Sequence, residues 1–202
     1  MNDAAGRIID KILSNSANIL SLKSKFNNMK YFKILILLIF FSLKLQGQSV
    51  ADFTISSVTD NSSFTLSKSK GKFIALHFLL KTECPYCIKH TNDYFEKASS
   101  LPNVLQIFIK PDEEKDIKGW AEKLGGNKAN KYPIYHDVKA KLADQFNIPS
   151  GYAFHGQIVH YPALILLNEK GEEVFRYIGK NNSDRYSFEN LKATIQDLMN
   201  KK

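Results

Sequence analysis

Cys84 and Cys87 are the only cysteines among 202 residues, and they stand three apart in the run Cys84-Pro85-Tyr86-Cys87. A strongly apolar stretch, Lys72 to Leu80, precedes them, and a helix-forming stretch follows to about Ala98. This placement suits a redox pair. A thiolate at Cys84 would sit at a helix N-terminus, where unpaired N–H groups and the positive end of the dipole favour the anion and lower its pKa. Cys87, one turn inside, can then attack a mixed disulfide on Cys84 and release the bound partner. Pro85 falls in the first turn, where its missing N–H costs nothing. The Pro85-Tyr86 dipeptide tunes the reduction potential without revealing its direction.

Other chemistries fit less well. A purely structural bridge would close a tiny loop and stabilise little. His90 follows Cys87 by three, so Cys84, Cys87 and a His form a candidate copper or zinc set, but a fourth ligand and a second CxxC are missing. Haem attachment needs His directly after the second cysteine, where this chain has Ile88. His155 and His160 read as ordinary loop histidines. No metal and no cofactor is expected.

The elements that must position the pair follow from the apolar pattern. Phe53 to Val58 and Ser63 to Leu66 read as short strands around an Asp60-Asn61 turn, and Lys72 to Leu80 as a buried strand. Val104 to Ile109 is a further buried strand, and Lys115 to Leu124 a helix stopped by Gly125-Gly126. Tyr135 lies in a short extended piece. Val138, Leu142 and Phe146 recur at helical spacing and predict one face of a single helix. Ala163 to Leu167 and Glu173 to Ile178 flank the turn Asn168-Glu-Lys-Gly171 as a hairpin, and Phe188 to Leu198 closes the chain as an amphipathic helix. Such an order predicts an α/β fold, with chemistry at the C-terminal end of its first core strand. Trp120 reads as packing. The aromatic and His-rich stretch Ile148 to His160 reads either as a flap over the site or as a hairpin covering a sheet edge.

Composition narrows the class. With 44% hydrophobic, 24% charged and 12% aromatic residues, the chain is neither disordered, collagen-like, a disulfide-rich miniprotein nor a multi-span membrane protein. The net charge of +8 suggests nucleic acid only until it is located. Residues 1–47 carry seven Lys or Arg against Asp3 and Asp10, and the remainder has no basic run beyond Lys201-Lys202. No nucleic-acid footprint results. Residues 29–47 have the outline of a signal peptide: a basic start, the apolar run Ile34 to Leu43, and Gly47. The run is shorter than the ~20 residues of a spanning helix. Leu45 is not the small residue that a cleavage site prefers, so a signal anchor is the alternative, and the expected destination is the periplasm. Residues 1–28 are expected to be a non-native or disordered extension ahead of an initiating Met29. No cysteine follows the apolar run, which excludes a lipoprotein anchor.

From about residue 50 onward the chain resembles the thioredoxin-like superfamily, in particular the redoxin and TlpA-type (AhpC/TSA-related) thiol–disulfide oxidoreductases. The resemblance rests on Phe64-Thr-Leu-Ser with Lys70-Gly-Lys, the strand ending Phe78, Cys84-Pro-Tyr-Cys87, Tyr135-His-Asp137, and Tyr161-Pro162 followed by a strand and a turn. It implies a redoxin domain over residues 48–202, with a central mixed sheet flanked by helices and an N-terminal β extension. It further implies Cys84 as nucleophile, Cys87 as resolving thiol, and Pro162 in the cis form against the CxxC. The backbone of Tyr161 would be offered to a substrate. Partners would be protein thiols or disulfides and an electron-donating or accepting redox protein. His77 stands close to where thioredoxins bury a proton-shuttling acid, so it is a candidate shuttle; a core His bonded to a backbone carbonyl is the bland reading. A peroxiredoxin-like peroxidase using Cys87 is the alternative, because Phe78 precedes Cys87 by nine. The rest of that signature fails: Leu80 holds its Pro slot, Cys84 its Thr slot, and no Arg stands near Pro162, where the chain has His160 and Tyr161.

Overall fold

In the computed structural model residues 48–81, 84–124, 132–154 and 157–201 are described. The expected signal segment 29–47 and extension 1–28 lie outside the described residues, as do Glu83, Gly125-Gly126 and His155. The described strands are β1 (Gln48–Ser49), β2 (Thr54–Ser57), β3 (Ser63–Thr65), β4 (Phe73–Phe78), β5 (Val104–Lys110), β6 (Ile134–His136), β7 (Ser150–Phe154), β8 (Gln157–His160), β9 (Ala163–Leu167) and β10 (Glu172–Ile178). The α-helices are α1 (Pro85–Lys97), α2 (Glu114–Ala121), α3 (Lys141–Gln145) and α4 (Phe188–Asn200). Among these helices none is long and apolar enough to cross a membrane.

Eight strands form one mixed sheet in the order β1-β10-β9-β4-β5-β6-β2-β3. β4 runs parallel to β5, and β5 to β6, while β9 is antiparallel to both β4 and β10. The short β2–β3 pair caps one edge as the expected N-terminal β extension. β7 and β8 form a separate hairpin.

Side chains alternate across the sheet. On β4, Phe73 and Ala75 join the core against α1, α2 and α4, whereas Ile74, Leu76 and Phe78 join the core that includes Leu142, Ala143 and Phe146. The same alternation on β5 sends Val104 and Phe108 to the first side and Ile107 and Ile109 to the second. By this parity His77, Gln106 and Lys110, all buried, project towards the face covered by α1. Buried polar groups need partners: His77 bonds His90 and Gln106, Lys110 bonds the Leu80 carbonyl, and Gln106 is satisfied only at its Oε1.

One element departs from its periodicity. The spacing of Val138, Leu142 and Phe146 predicts one continuous helix, yet Lys139 and Ala140 have positive φ and the α-helical turn starts only at Lys141. Asp137 explains the delay: its two carboxylate oxygens accept the N–H groups of Leu142 at 2.7 Å and Ala143 at 3.0 Å, capping a helix that begins later. Val138 is left 51% exposed while Leu142 and Phe146 are buried. Lys115 to Leu124, predicted as one helix, is α2 plus a final 3-10 turn over Glu122–Leu124.

Burial pushes the pKa of His77 down to about 4 from 6.5, and lowers those of His90 and His160 as well. Between those pH values the unfolded chain binds protons that the folded chain refuses. Stability is therefore fully present above about pH 6.5 and is lost as pH falls towards 4. Asp137, whose pKa burial raises, works weakly in the opposite sense. The melting temperature is expected to fall from about pH 7 to about pH 5, with a shallower slope in His77→Gln. An equal slope in that variant would show that His77 is not the group responsible.

Candidate active site

Cys84 is the N-cap of α1 and Pro85 opens the helix, as the spacing predicts. Cys84 Sγ accepts the backbone N–H of Cys87 at 3.1 Å, so a free donor of the helix end is aimed at the sulfur where an anion would form. The two cysteines are joined as a disulfide, with Cα atoms 5.3 Å apart. Both are completely buried; Pro85 and Tyr86 are the exposed part of the motif.

The approach to Cys84 is pinned from inside the sheet. Lys110, fully buried, donates from Nζ to the Leu80 carbonyl at 2.5 Å, pairs with Asp112 at 3.2 Å, and lies 4.5 Å from the centre of the Trp120 ring. Trp120 thus has the packing role expected of it.

His77 bonds two side chains rather than a backbone carbonyl. Its Nε2 lies 2.8 Å from Gln106 Oε1 and its Nδ1 3.1 Å from His90 Nε2. With the Gln106 oxygen accepting from Nε2–H, Nδ1 must accept from His90, which leaves His90 Nδ1 as an acceptor. The His77 ring is stacked on Phe108 at 4.5 Å and meets Tyr94 edge-on at 4.5 Å. The candidate shuttle is therefore a locked, neutral imidazole bonded to His90, which stands three positions beyond Cys87 on α1. His90 is held neutral by burial first, then by His77 and Arg185. Among the described residues no three His, Cys, Asp or Glu side chains gather as a metal site, and Cys84, Cys87 and His90 make no such group.

At Pro162 two expectations are corrected. The Tyr161–Pro162 bond is trans, as no cis peptide occurs among the described residues. Pro162 sits at a strand start, its carbonyl accepting the Gly179 N–H at 2.8 Å. The Tyr161 backbone is not offered outward either: its N–H donates to the Pro149 carbonyl at 2.9 Å, and its carbonyl accepts His160 Nδ1–H at 2.7 Å. Pro162 is nevertheless at the site, lining one small cavity with Leu79, His90 and Arg185.

What faces the sulfurs comes from residues 179–187, a segment without a predicted role. Asn182 Oδ1 lies 2.8 Å from Cys84 Sγ, placed to accept its S–H in the dithiol form. Arg185 Nη2 lies 3.3 Å from Cys87 Sγ and 3.5 Å from Cys84 Sγ. The guanidinium's other partners among the described residues are the carbonyls of Asn181 and Asp184, and its Nε has none. Burial lowers its pKa to about 10.

The segment is tied down on three sides. Asp184 receives the Tyr177 hydroxyl and the Lys180 N–H, Tyr94 donates to the Tyr186 carbonyl at 2.9 Å, and the Asn182 N–H donates to Tyr152 Oη at 2.9 Å. Through Tyr152 the β7–β8 hairpin reaches this segment. The signal in the sequence was the hairpin register: with Ile178 opposite Ala163, whatever follows Ile178 must lie beside Pro162.

Comparison with known proteins agrees with this architecture. The sequence model of the Redoxin family matches residues 45–195. No protein of curated function matches the chain in sequence. Among solved structures, a reduced 2-Cys peroxiredoxin from Plasmodium vivax superposes with a TM-score of 0.62 at 19% identity, covering 76% of this chain and 98% of its own. A putative protein disulfide isomerase from Bacteroides thetaiotaomicron gives 0.52 at 23% identity, covering 75% and 86%. A secreted Mycobacterium tuberculosis disulfide oxidoreductase gives 0.53 at 16%, covering 72% and 95%. These likenesses establish a shared thioredoxin-like fold.

Gly179 allows the close approach of the 179–187 segment. A Cβ there would stand 2.2 Å from the Asp184 carbonyl oxygen and 2.9 Å from Pro162 Cγ. Gly179→Ala is expected to cost about 1–3 kcal/mol in denaturant unfolding, the usual range for overpacking. It should also alter the rate at which the pair is reduced by a small thiol. An unchanged rate would mean that the segment does not govern the sulfurs.

Proposed function

Since the chain belongs to the redoxin family and is an oxidoreductase, we propose that it exchanges disulfides with protein thiols and disulfides, with Cys84 as nucleophile and Cys87 as resolving thiol. The observation that carries this reading is the bonded pair at the N-cap of a 13-residue helix, with the Cys87 N–H on Cys84 Sγ. A thiolate at Cys84 is favoured there by the helix end, and Cys87 is close enough to resolve a mixed disulfide without any rearrangement of the helix. Pro85 and Tyr86, the exposed part of the motif, are the surface a substrate would meet, with Pro162 buried behind the pair. A second redox protein restores the pair after each turnover.

Cys84→Ser is expected to abolish reduction and oxidation of a model disulfide. Cys87→Ser should instead accumulate mixed disulfides, visible as thiol-sensitive adducts on a non-reducing gel. Wild-type turnover in Cys84→Ser would refute the assignment.

One observation favours a second reading. The Arg whose absence near Pro162 weighed against a peroxidase is supplied by Arg185, 3.3 Å from Cys87 Sγ. The Thr slot is still held by Cys84. Rapid oxidation of the reduced protein by hydrogen peroxide, lost in Cys87→Ser and retained in Cys84→Ser, would mark a peroxidase; slow oxidation in all forms supports the exchange reading.

We further infer export, from the basic start at Met29, the apolar run Ile34 to Leu43 and Gly47. Intact-mass measurement of protein recovered from a bacterial periplasm should show a chain beginning just after Gly47. A chain retaining residues 29–47 in the membrane fraction would show an anchor, and a full-length soluble chain would refute export.

A further inference from the structure

Arg185 is a half-buried cation that makes no ion pair among the described residues. Its partners among the described residues are two backbone carbonyls and two sulfurs. The neighbouring carboxylate of Asp184 is engaged by the Tyr177 hydroxyl and the Lys180 N–H. Asp184 acts on Arg185 only through space, so a partly desolvated guanidinium still gains from an anion placed within hydrogen-bond reach. In the disulfide form the sulfurs are neutral and offer Arg185 little. In the reduced form either sulfur can become an anion, and both lie within 3.5 Å of Nη2.

We propose that Arg185 is a catalytic residue of disulfide exchange: it holds the thiolate released when the Cys84–Cys87 bond opens, and so makes the pair a stronger acceptor of electrons. This inference rests on the exchange reading above. In the oxidising direction a substrate thiolate attacks Cys84 Sγ. The substrate–Cys84 bond forms as the Cys84–Cys87 bond breaks, and the electron pair leaves on Cys87 Sγ, 3.3 Å from Arg185 Nη2. The second substrate thiol gives its proton to solvent and attacks the substrate sulfur of the mixed disulfide. The electron pair now leaves on Cys84 Sγ, which faces Arg185 Nη2 and the Cys87 N–H. The substrate dithiol has lost two electrons and the enzyme pair has gained them.

Stabilising the leaving thiolate speeds each cleavage, and stabilising the reduced form raises the reduction potential. Asn182 suits both states: its Oδ1 accepts the thiol S–H, and rotation of the amide would turn N–H groups on the thiolate. Among the described residues the other titratable or charged groups around the site include His90 on α1, His77 behind it on β4, Lys110 with Asp112 at the Leu80 carbonyl, Lys81 before the motif, Tyr152 of the hairpin and Asp184 beside Arg185. Both histidines are neutral, so neither adds a positive charge to that of Arg185 beside the sulfurs.

The test is the equilibrium of the pair with glutathione, read by alkylation and mass, in wild type, Arg185→Met and Arg185→Lys. Arg185→Met should shift the equilibrium towards the disulfide by about tenfold or more, which for a two-electron couple is about 30 mV. Arg185→Lys should recover most of that shift, because it keeps the charge. The thiolate absorbance of the reduced wild-type protein should titrate below the ordinary cysteine value of about 8.5, a readout that needs no variant. Unchanged equilibrium in Arg185→Met, or an ordinary wild-type titration, would overturn the proposal. These equilibria are measured without a protein substrate, so failure of the exchange reading would appear separately, as an absence of turnover in the wild type.

Discussion

Phe78 pairs with Ala163, and Ala163 with Ile178, so the ends of three strands lie side by side in one row of the sheet. The chain leaving the first runs to Cys84, the chain entering the second carries Pro162, and the chain leaving the third carries Asn182 and Arg185. Two cysteines and a guanidinium from opposite ends of the domain thereby share a few ångströms of space. Antiparallel pairing makes this meeting obligatory, because the end of β10 must lie where β9 begins.

The same sheet supplies the support beneath. Alternation along β4 and β5 turns His77, Gln106 and Lys110 to the side on which α1 lies, among residues otherwise aromatic or aliphatic. Two of them are bonded to groups next to the pair, His77 to His90 and Lys110 to the carbonyl of Leu80, and Gln106 holds His77. Polar groups in such a setting are stabilising only when satisfied, and losing one partner leaves the other exposed to the full cost of burial. The chemistry of the site and the integrity of the core are therefore joined in the same residues.

Much of this is legible in the sequence. The cysteine spacing, the apolar strand before it and Pro85 after it placed the pair on a helix end, since those are local signals. The strands of the core followed from their own apolar runs. The start of α3 was not legible, because a side-chain cap at Asp137 overrode the periodicity of Val138, Leu142 and Phe146. The trans bond at Pro162 and the committed backbone of Tyr161 reverse what the family resemblance implies, and the latter follows from the hairpin returning Tyr161 to the Pro149 carbonyl. Arg185 was missed for a different reason. Nothing in Gly179-Lys-Asn-Asn-Ser-Asp-Arg points to a sulfur until the hairpin register is carried from Ile178 across to Pro162, and only the absent Cβ of Gly179 hints that a close approach is needed.

Asn182 and Arg185 stand about a hundred positions from the cysteines they touch. The four-residue motif is therefore not a portable unit. Moved alone into another scaffold of the same fold, Cys-Pro-Tyr-Cys would keep its helix end but lose the side chains that face its sulfurs. A graft that transfers the chemistry must include both β9 and β10 with the segment that follows them, because the smallest transferable piece is a pair of strands and their register.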